Sequence, residues 1–252
     1  MSSLLDSLPA ELTDTTTLVS LGAVLVMVLS AWGLAEHLLD HRTPSQLRFL
    51  FVWHAFDAMI HFCLEGSFLY HCFFSVADLA GFKEAGGMSD VYHPDPEGFL
   101  GTSGMVHGAQ AGAVNGVEGP MAMLWMVYAR ADKRWAGADL GVVSLELLTV
   151  FVVGPLCVWV CFDLARKNPR ANILMIILAT AELYGGFMTF CPEWLTGNLN
   201  LDTSNFMYLW VYLVFFNMLW VFSPLYAIYI SSTDIFDAFR VRAVRSAAKK
   251  DT

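Results

Sequence analysis

Asp57, His61 and Glu65 recur at intervals of four within Asp57-Ala58-Met59-Ile60-His61-Phe62-Cys63-Leu64-Glu65-Gly66. On an α-helix each step of four advances ~40° around the axis and ~6 Å along it, so the three side chains share one face. The run around them, from about Phe49 to Val76, is largely apolar. Ionisable groups at membrane depth cost about 2.5–3.5 kcal/mol each and normally face a partner or a wet cavity. A carboxylic acid held in a low-dielectric site can keep its proton near neutrality, which is what acid–base chemistry needs. The stripe therefore reads as one wall of a reactive cavity. A structural polar seam between helices is the alternative.

Other apolar segments carry polar insertions of their own. Glu146 and Thr149 lie one turn apart. Glu182 has Gly185, Gly186 and Thr189 on its side of a later segment, and Trp210, Asn217 and Trp220 are spaced to share a face of the last. With a rise of ~1.5 Å per residue, Glu65 falls ~24 Å from the cytoplasmic end of its segment. Glu146 falls ~9 Å from the lumenal end of its own, for a span of ~30 Å. The two carboxylates thus come to nearly the same height in the lumenal half, with Glu182 and Asn217 near the midplane.

The elements that must position these residues are membrane-spanning helices. Hydrophobic residues make up 56% of the 252 and charged residues only 15%, where a soluble domain carries about 25% charged. Mean hydropathy is +0.54. Five segments are long enough to cross the hydrocarbon, roughly Leu18–Leu39, Phe49–Val76, Gly141–Leu164, Ala171–Cys191 and Phe206–Ile230. The expected fold is an all-α integral membrane protein, a single domain over 1–252 whose five helices enclose one intramembrane cavity. No strand pattern, heptad or repeat is visible.

The net charge of −9 lies largely in loops and the N-terminal tail. No basic footprint for nucleic acid and no phosphate-binding glycine motif is present, so nucleic acid is not an expected partner. Arg42, Arg48, Arg166, Lys167, Arg170, Arg240, Arg242, Arg245, Lys249 and Lys250 fall on one side, ten of the fourteen basic residues. They mark the cytoplasmic face, which puts the N-terminus in the lumen and the C-terminus, with its basic tail at 232–252, in the cytoplasm. Residues 1–17 lack a positive n-region, so the first segment is expected to act as an uncleaved anchor. The tight connection at His41-Arg42-Thr43-Pro44 makes the first two segments antiparallel neighbours.

Ten of the nineteen glycines lie between Gly81 and Gly119, inside an insertion at about 78–124. So long a connection is a lid, a binding loop or disordered, and this one belongs on the lumenal side, over or inside the mouth of the cavity. It carries His93, Asp95, Glu97 and His107, whose spacing fits no zinc pattern, so no metal is assigned. Cys63, Cys72, Cys157, Cys161 and Cys191 lie in or at the ends of apolar segments, and reduced, buried thiols are the expectation.

His61-x-x-x-Glu65-Gly66 resembles the His-x-x-x-Glu-Gly signature of the emopamil-binding protein family, the sterol Δ8–Δ7 isomerases. Trp125-x-x-Tyr128-x-x-x-Asp132-x-Arg134-Trp135 is similar to that family's W-K-E-Y-x-K-G-D-S-R-Y. Glu146-x-x-Thr149 with Gly154-Pro155, Tyr184-Gly185, and Asn217-x-x-Trp220 with Pro224 resemble the motifs of its third, fourth and fifth helices. The order of the five motifs agrees along nearly the whole chain, apart from the N-terminal tail and most of the insertion.

The resemblance implies a cofactor-independent enzyme acting on an alkene. His61 and Glu65 would form the acid that protonates it, and Glu146 with Thr149 would stabilise the cation or take the neighbouring proton. Asn217 would support the network, and Trp220 would offer a π-face. Asp57, His61, Glu65, Glu146 and Asn217 are thus the expected catalytic residues. Thr149, Glu182, Tyr184, Trp210 and Trp220 are expected to bind substrate or cation. No metal or redox cofactor is called for. Asp57 and Glu182 depart from the family pattern, in which the helix-four residue is glutamine.

Extra acid suits a substrate needing differently placed protonation, such as a terminal prenyl epoxide, and tilts the expectation to terpenoid (meroterpenoid epoxide) cyclisation. Sterol Δ8–Δ7 isomerisation, a non-catalytic sterol or amine receptor like the sigma-two branch, and a proton-linked transporter stay open. The expected partners are a hydrophobic terpenoid or sterol and the membrane lipid, with a homodimer left open. Lys249-Lys250-Asp251-Thr252 resembles a dilysine retrieval signal, which would place the protein in the endoplasmic reticulum membrane.

Overall fold

The computed structural model describes residues 15–84, 92, 98–114 and 119–249. Five helices are long and apolar enough to cross a bilayer: α1 (Thr15–Leu38), α2 (Ser45–Phe74), α6 (Leu140–Ala165), α7 (Arg170–Thr196) and α8 (Met207–Ala248). Short helices α3 (Leu79–Glu84), α4 (Ala109–Val114) and α5 (Pro120–Tyr128) fall between α2 and α6. The ends follow local chemistry. Pro44 precedes α2, Asp139 accepts the Val142 N–H at the start of α6, and left-handed Gly197 stops α7. No such stop follows Ile230, and α8 continues to Ala248, well past the end read from hydropathy.

Helix α2 is the hub. It packs against α1, α6 and α8, while α6 packs on α7 and α7 on α8, closing a ring. Ala31 and Ala35, one turn apart and fully buried, belong to the core that α1 shares with α2. In lipid, small residues let helix backbones approach closely. One core joins Leu50, Phe51, Phe56, Cys157, Met175 and Leu178. A second joins Phe68, Trp125, Val142, Val143 and Val150.

Three of the five long helices contain a π-helical stretch: Ile60–Glu65 in α2, Thr149–Val153 in α6 and Met207–Phe216 in α8. Such i→i+5 segments are rare and concentrate at functional sites. Here they hold His61, Glu65, Thr149 and Trp210 and end at Asn217.

The insertion contains a small sheet that no sequence pattern announced. Its strands β1 (Val76–Asp78) and β2 (Met105–His107) pair antiparallel, Val76 with His107 and Asp78 with Met105. Three residues per strand are too few for an alternation to show. Helix α4 packs on α2 and α5, and the His107 ring lies 3.2 Å from the Cys72 carbonyl. Gly108 has φ +99°, and a Cβ there would lie 2.6 Å from the Ala136 carbonyl oxygen, so only glycine fits this crossing. His93, Asp95 and Glu97 lie outside the described residues, as do Lys250, Asp251 and Thr252.

A buried ion-pair network ties the α5–α6 connection to the end of α7. Arg134 donates to both Asp132 oxygens (2.9 and 2.7 Å) and to the Thr189 carbonyl (2.8 Å), and it lies 3.7 Å from Glu193. Glu193 accepts from Asn200. Burial pushes the Asp132 carboxyl above its usual range, against the pull of the Arg134 guanidinium.

Candidate active site

The Asp57–His61–Glu65 stripe is a continuous contact chain. His61 Nε2 lies 3.2 Å from Asp57 Oδ1, and His61 Nδ1 lies 2.5 Å from Glu65 Oε2. Asp57 is fully buried and His61 nearly so. The face survives the switch to π geometry because the first contact falls at its start and the second within it. Gly154 permits the packing of α6 here: a Cβ at this position would lie 3.1 Å from the Phe62 ring and 3.3 Å from His61 Cβ.

Helix α6 supplies the next link. Glu65 and Glu146 interact side chain to side chain, and Thr149 Oγ1 donates to Glu146 Oε2 at 2.8 Å. Two carboxylates with a proton between them attract, whereas two bare ones repel. At the other end, Trp220 Nε1 donates to Asp57 Oδ1 at 2.8 Å, and Cys157 Sγ donates to Asp57 Oδ2 at 3.3 Å. Glu182 of α7 also meets Asp57. The structure thus brings Thr149, Glu146, Glu65, His61, Asp57, Trp220 and Glu182 into one network drawn from four helices.

Three other expected residues stand elsewhere. Asn217 Nδ2 donates to the Tyr212 and Leu213 carbonyls at 3.0 Å and reaches the Tyr128 hydroxyl at 3.4 Å. These are carbonyls of the π-turn that ends there, so Asn217 hydrogen-bonds the helix backbone and Tyr128, and its side chain positions the helix. Trp210 is 53% exposed. A π-turn takes more residues per revolution than an α-turn, so the α spacing that put Trp210 with Asn217 and Trp220 does not hold across Met207–Phe216. Tyr184 is 64% exposed, on the outer side of α7.

Trp220 differs in the part it presents. Its N–H is spent on Asp57, and its ring packs against Trp53 (5.4 Å) and Phe56 (6.2 Å). Aromatic faces near the Glu65–Glu146 end come instead from a group the sequence did not single out for this role. Trp125 and Trp135 stack at 4.8 Å, and Phe68 and Tyr128 pack edge-on or tilted against them. Trp125 Nε1 donates to Ser67 Oγ, two residues beyond Glu65. Burial raises the Tyr128 phenol, which keeps its proton.

His54 and Cys157 are further residues that sequence reasoning missed. Donor atoms of His54, Asp57, Cys157 and Glu182 all lie within 4.8 Å of one another. Among the described residues this is the group whose donor types suit a metal ion. Cys63, expected to be buried, is exposed on the outer face of α2, whereas Cys72 and Cys157 are buried.

Comparison with known proteins finds similar chains. Residues 120–231 match the model of EXPERA, the expanded EBP superfamily. The chain is 29% identical over 112 residues to the 3-beta-hydroxysteroid-Delta(8),Delta(7)-isomerase of Cavia porcellus, covering 44% of this chain and 49% of that protein. The probable isomerase of the same name from Oryza sativa subsp. japonica is 24% identical over 217 residues, 86% of this chain and 80% of that one. The isomeliandiol synthase of Melia azedarach is 32% identical over 104 residues, 41% and 48% of the two chains. The aligned part spans about half the length of the mammalian relatives.

Proposed function

We propose, from the match of residues 120–231 to the EXPERA (expanded EBP) superfamily, that the protein is a membrane-embedded isomerase or cyclase of terpenoid or sterol-like lipids. The observation that carries the proposal is the unbroken chain Thr149–Glu146–Glu65–His61–Asp57, set at two π-turns and surrounded by apolar helix faces. Such a chain holds a proton in a place of low dielectric and can take one back, which an intramolecular rearrangement requires.

In this reading the acid of the Glu65–His61 pair protonates an alkene carbon or an epoxide oxygen. The electron pair of that alkene or C–O bond is used up, leaving a tertiary carbocation. Aromatic faces stabilise a desolvated cation by roughly 2 kcal/mol or more, and Trp125, Tyr128 and Trp135 supply such faces beside the carboxylates. Glu146 then removes a proton from a neighbouring carbon, and the C–H electron pair closes the new double bond. Glu146 and Glu65 then exchange with solvent, which restores the proton to Glu65 for the next turnover. Asp57 anchors His61 from behind, and Thr149 orients Glu146.

Two substrate classes are in view because the relatives carry both kinds of name: a hydroxysteroid isomerase and a terpenoid synthase. The departures at Asp57 and Glu182 favour terpenoid, epoxide-type cyclisation, and sterol Δ8–Δ7 isomerisation is the second reading. We place the loops that follow α1 and α6 and the far end of α8 on the cytoplasmic side of the membrane, on the basis of their basic residues. The test is incubation of purified full-length protein with a panel of Δ8-sterols and prenyl epoxides, followed by product analysis. Conversion of one class, abolished in Glu65→Gln, is the expected result. Tight binding of both classes without turnover would instead make the protein a receptor.

A further inference from the structure

A second polar cluster lies behind Asp57, away from Glu65, and the chemistry above uses none of it except Asp57. His54 and Asp57 come from α2, Cys157 from α6 and Glu182 from α7. His54, Asp57 and Cys157 have no exposed surface. Both Glu182 oxygens are buried without a hydrogen-bond donor, beside the Asp57 carboxylate, and His54 Nε2 is buried without a partner. A buried polar group without a partner costs about 1–3 kcal/mol, and more when charged. Two carboxylates together compound that cost, and the ion pair of Asp57 is with His61, on the opposite side.

Asp57 divides its carboxylate between the two clusters. Oδ1 faces His61 and Trp220, and Oδ2 faces Cys157. From Cys157 Sγ, Asp57 Oδ2 is 3.3 Å away and His54 Nδ1 is 3.8 Å away. Tetrahedral zinc with bonds of ~2.0–2.3 Å holds its ligands ~3.3–3.8 Å apart. The donor set is one imidazole, one sulfur and two carboxylates, all of them zinc ligand types.

We propose that His54, Asp57, Cys157 and Glu182 form a closed, intramembrane binding site for a divalent metal of the zinc class. The ion takes the place of the missing partner of Glu182. Coordination requires Cys157 as thiolate, so its S–H proton leaves for solvent as the metal enters. The site would pin α2, α6 and α7 to one another. It would also fix Asp57 with its free oxygen on His61, in the way that partners behind a ligand commonly orient a reactive group. The proposal stands on the geometry and does not depend on the catalytic reading.

The test is metal analysis of full-length protein purified in detergent without chelator. About one zinc per chain is expected, falling by about tenfold or more in Cys157→Ser and in Glu182→Gln. Cys72→Ser, a buried thiol outside the cluster, should keep its metal. Stripped protein reloaded with Co(II) should show a thiolate-to-cobalt charge-transfer band that Cys157→Ser lacks, and zinc should raise the melting temperature of stripped wild type but not of Glu182→Gln. Size-exclusion profiles matching wild type establish that each variant is folded. Wild type with no more metal than Cys157→Ser and no thermal response to zinc would overturn the proposal, leaving a proton shared by Asp57 and Glu182 as the occupant. Metal retained equally in all variants would overturn it as well, by placing the ion elsewhere.

Discussion

Glu65 is the residue on which the proposed chemistry turns, since it joins His61 of its own helix to Glu146 of the next. Glu65→Gln keeps the shape and removes the transferable proton. Turnover should fall by about 10²–10⁴-fold, the scale of general acid–base catalysis, with the melting temperature little changed. Asp57→Asn should also lower turnover strongly, because a neutral amide no longer pairs with His61. Trp220→Phe isolates the Oδ1 side of Asp57, as it deletes one N–H donor and keeps most of the ring. A hydrogen bond to a charged group is worth about 1.5–3 kcal/mol, so kcat should drop about ten- to hundredfold with KM nearly constant. The residues of the central stripe were legible because their spacing and their presence in an apolar run are both abnormal. His54 and Cys157 were not, because a single histidine or cysteine among apolar residues looks like core filler until three helices bring the set together.

At the scale of elements, the π-turns decide which side chains meet. They move Trp210 away from the site and leave Tyr212 and Leu213 carbonyls for Asn217 to satisfy. No sequence periodicity announces a π-turn, which is why the α spacing succeeded for Glu65 and failed for Trp210. Gly154→Val tests the contact between α6 and the first π-turn. Its side chain must displace Phe62 and the His61 Cβ. Overpacking of this kind costs about 1–3 kcal/mol, and turnover should fall more than stability, since His61 is the part moved. Activity and thermal unfolding measured on one preparation distinguish the two effects. Arg134→Met is the complementary case. It leaves Asp132 and Glu193 buried without their cation, and about 3–5 kcal/mol of stability should be lost. Thermal unfolding of the purified variant against wild type measures the loss.

The whole molecule is a ring of four helices with α1 applied outside it, and the connection between α2 and α6 carries the glycine-rich insertion. Hydropathy revealed the five spans to within a few residues at most ends, because lipid demands long uninterrupted apolar helices. The far end of α8 escaped it, since an amphipathic helix running on past the membrane looks like a polar tail. The β1–β2 sheet escaped it because the pairing is between two short stretches separated by glycine-rich chain. The most direct measurement of the central claim is turnover in D₂O with the substrate that the panel identifies. A reaction that begins by protonation from Glu65–His61 and ends by loss of a different proton leaves solvent deuterium at the protonated atom. When that atom is carbon, the expected product carries one non-exchangeable deuterium there, with no change in oxidation level and with formation abolished in Glu65→Gln. Product formed without deuterium at that carbon, or undiminished formation by Glu65→Gln, would contradict it.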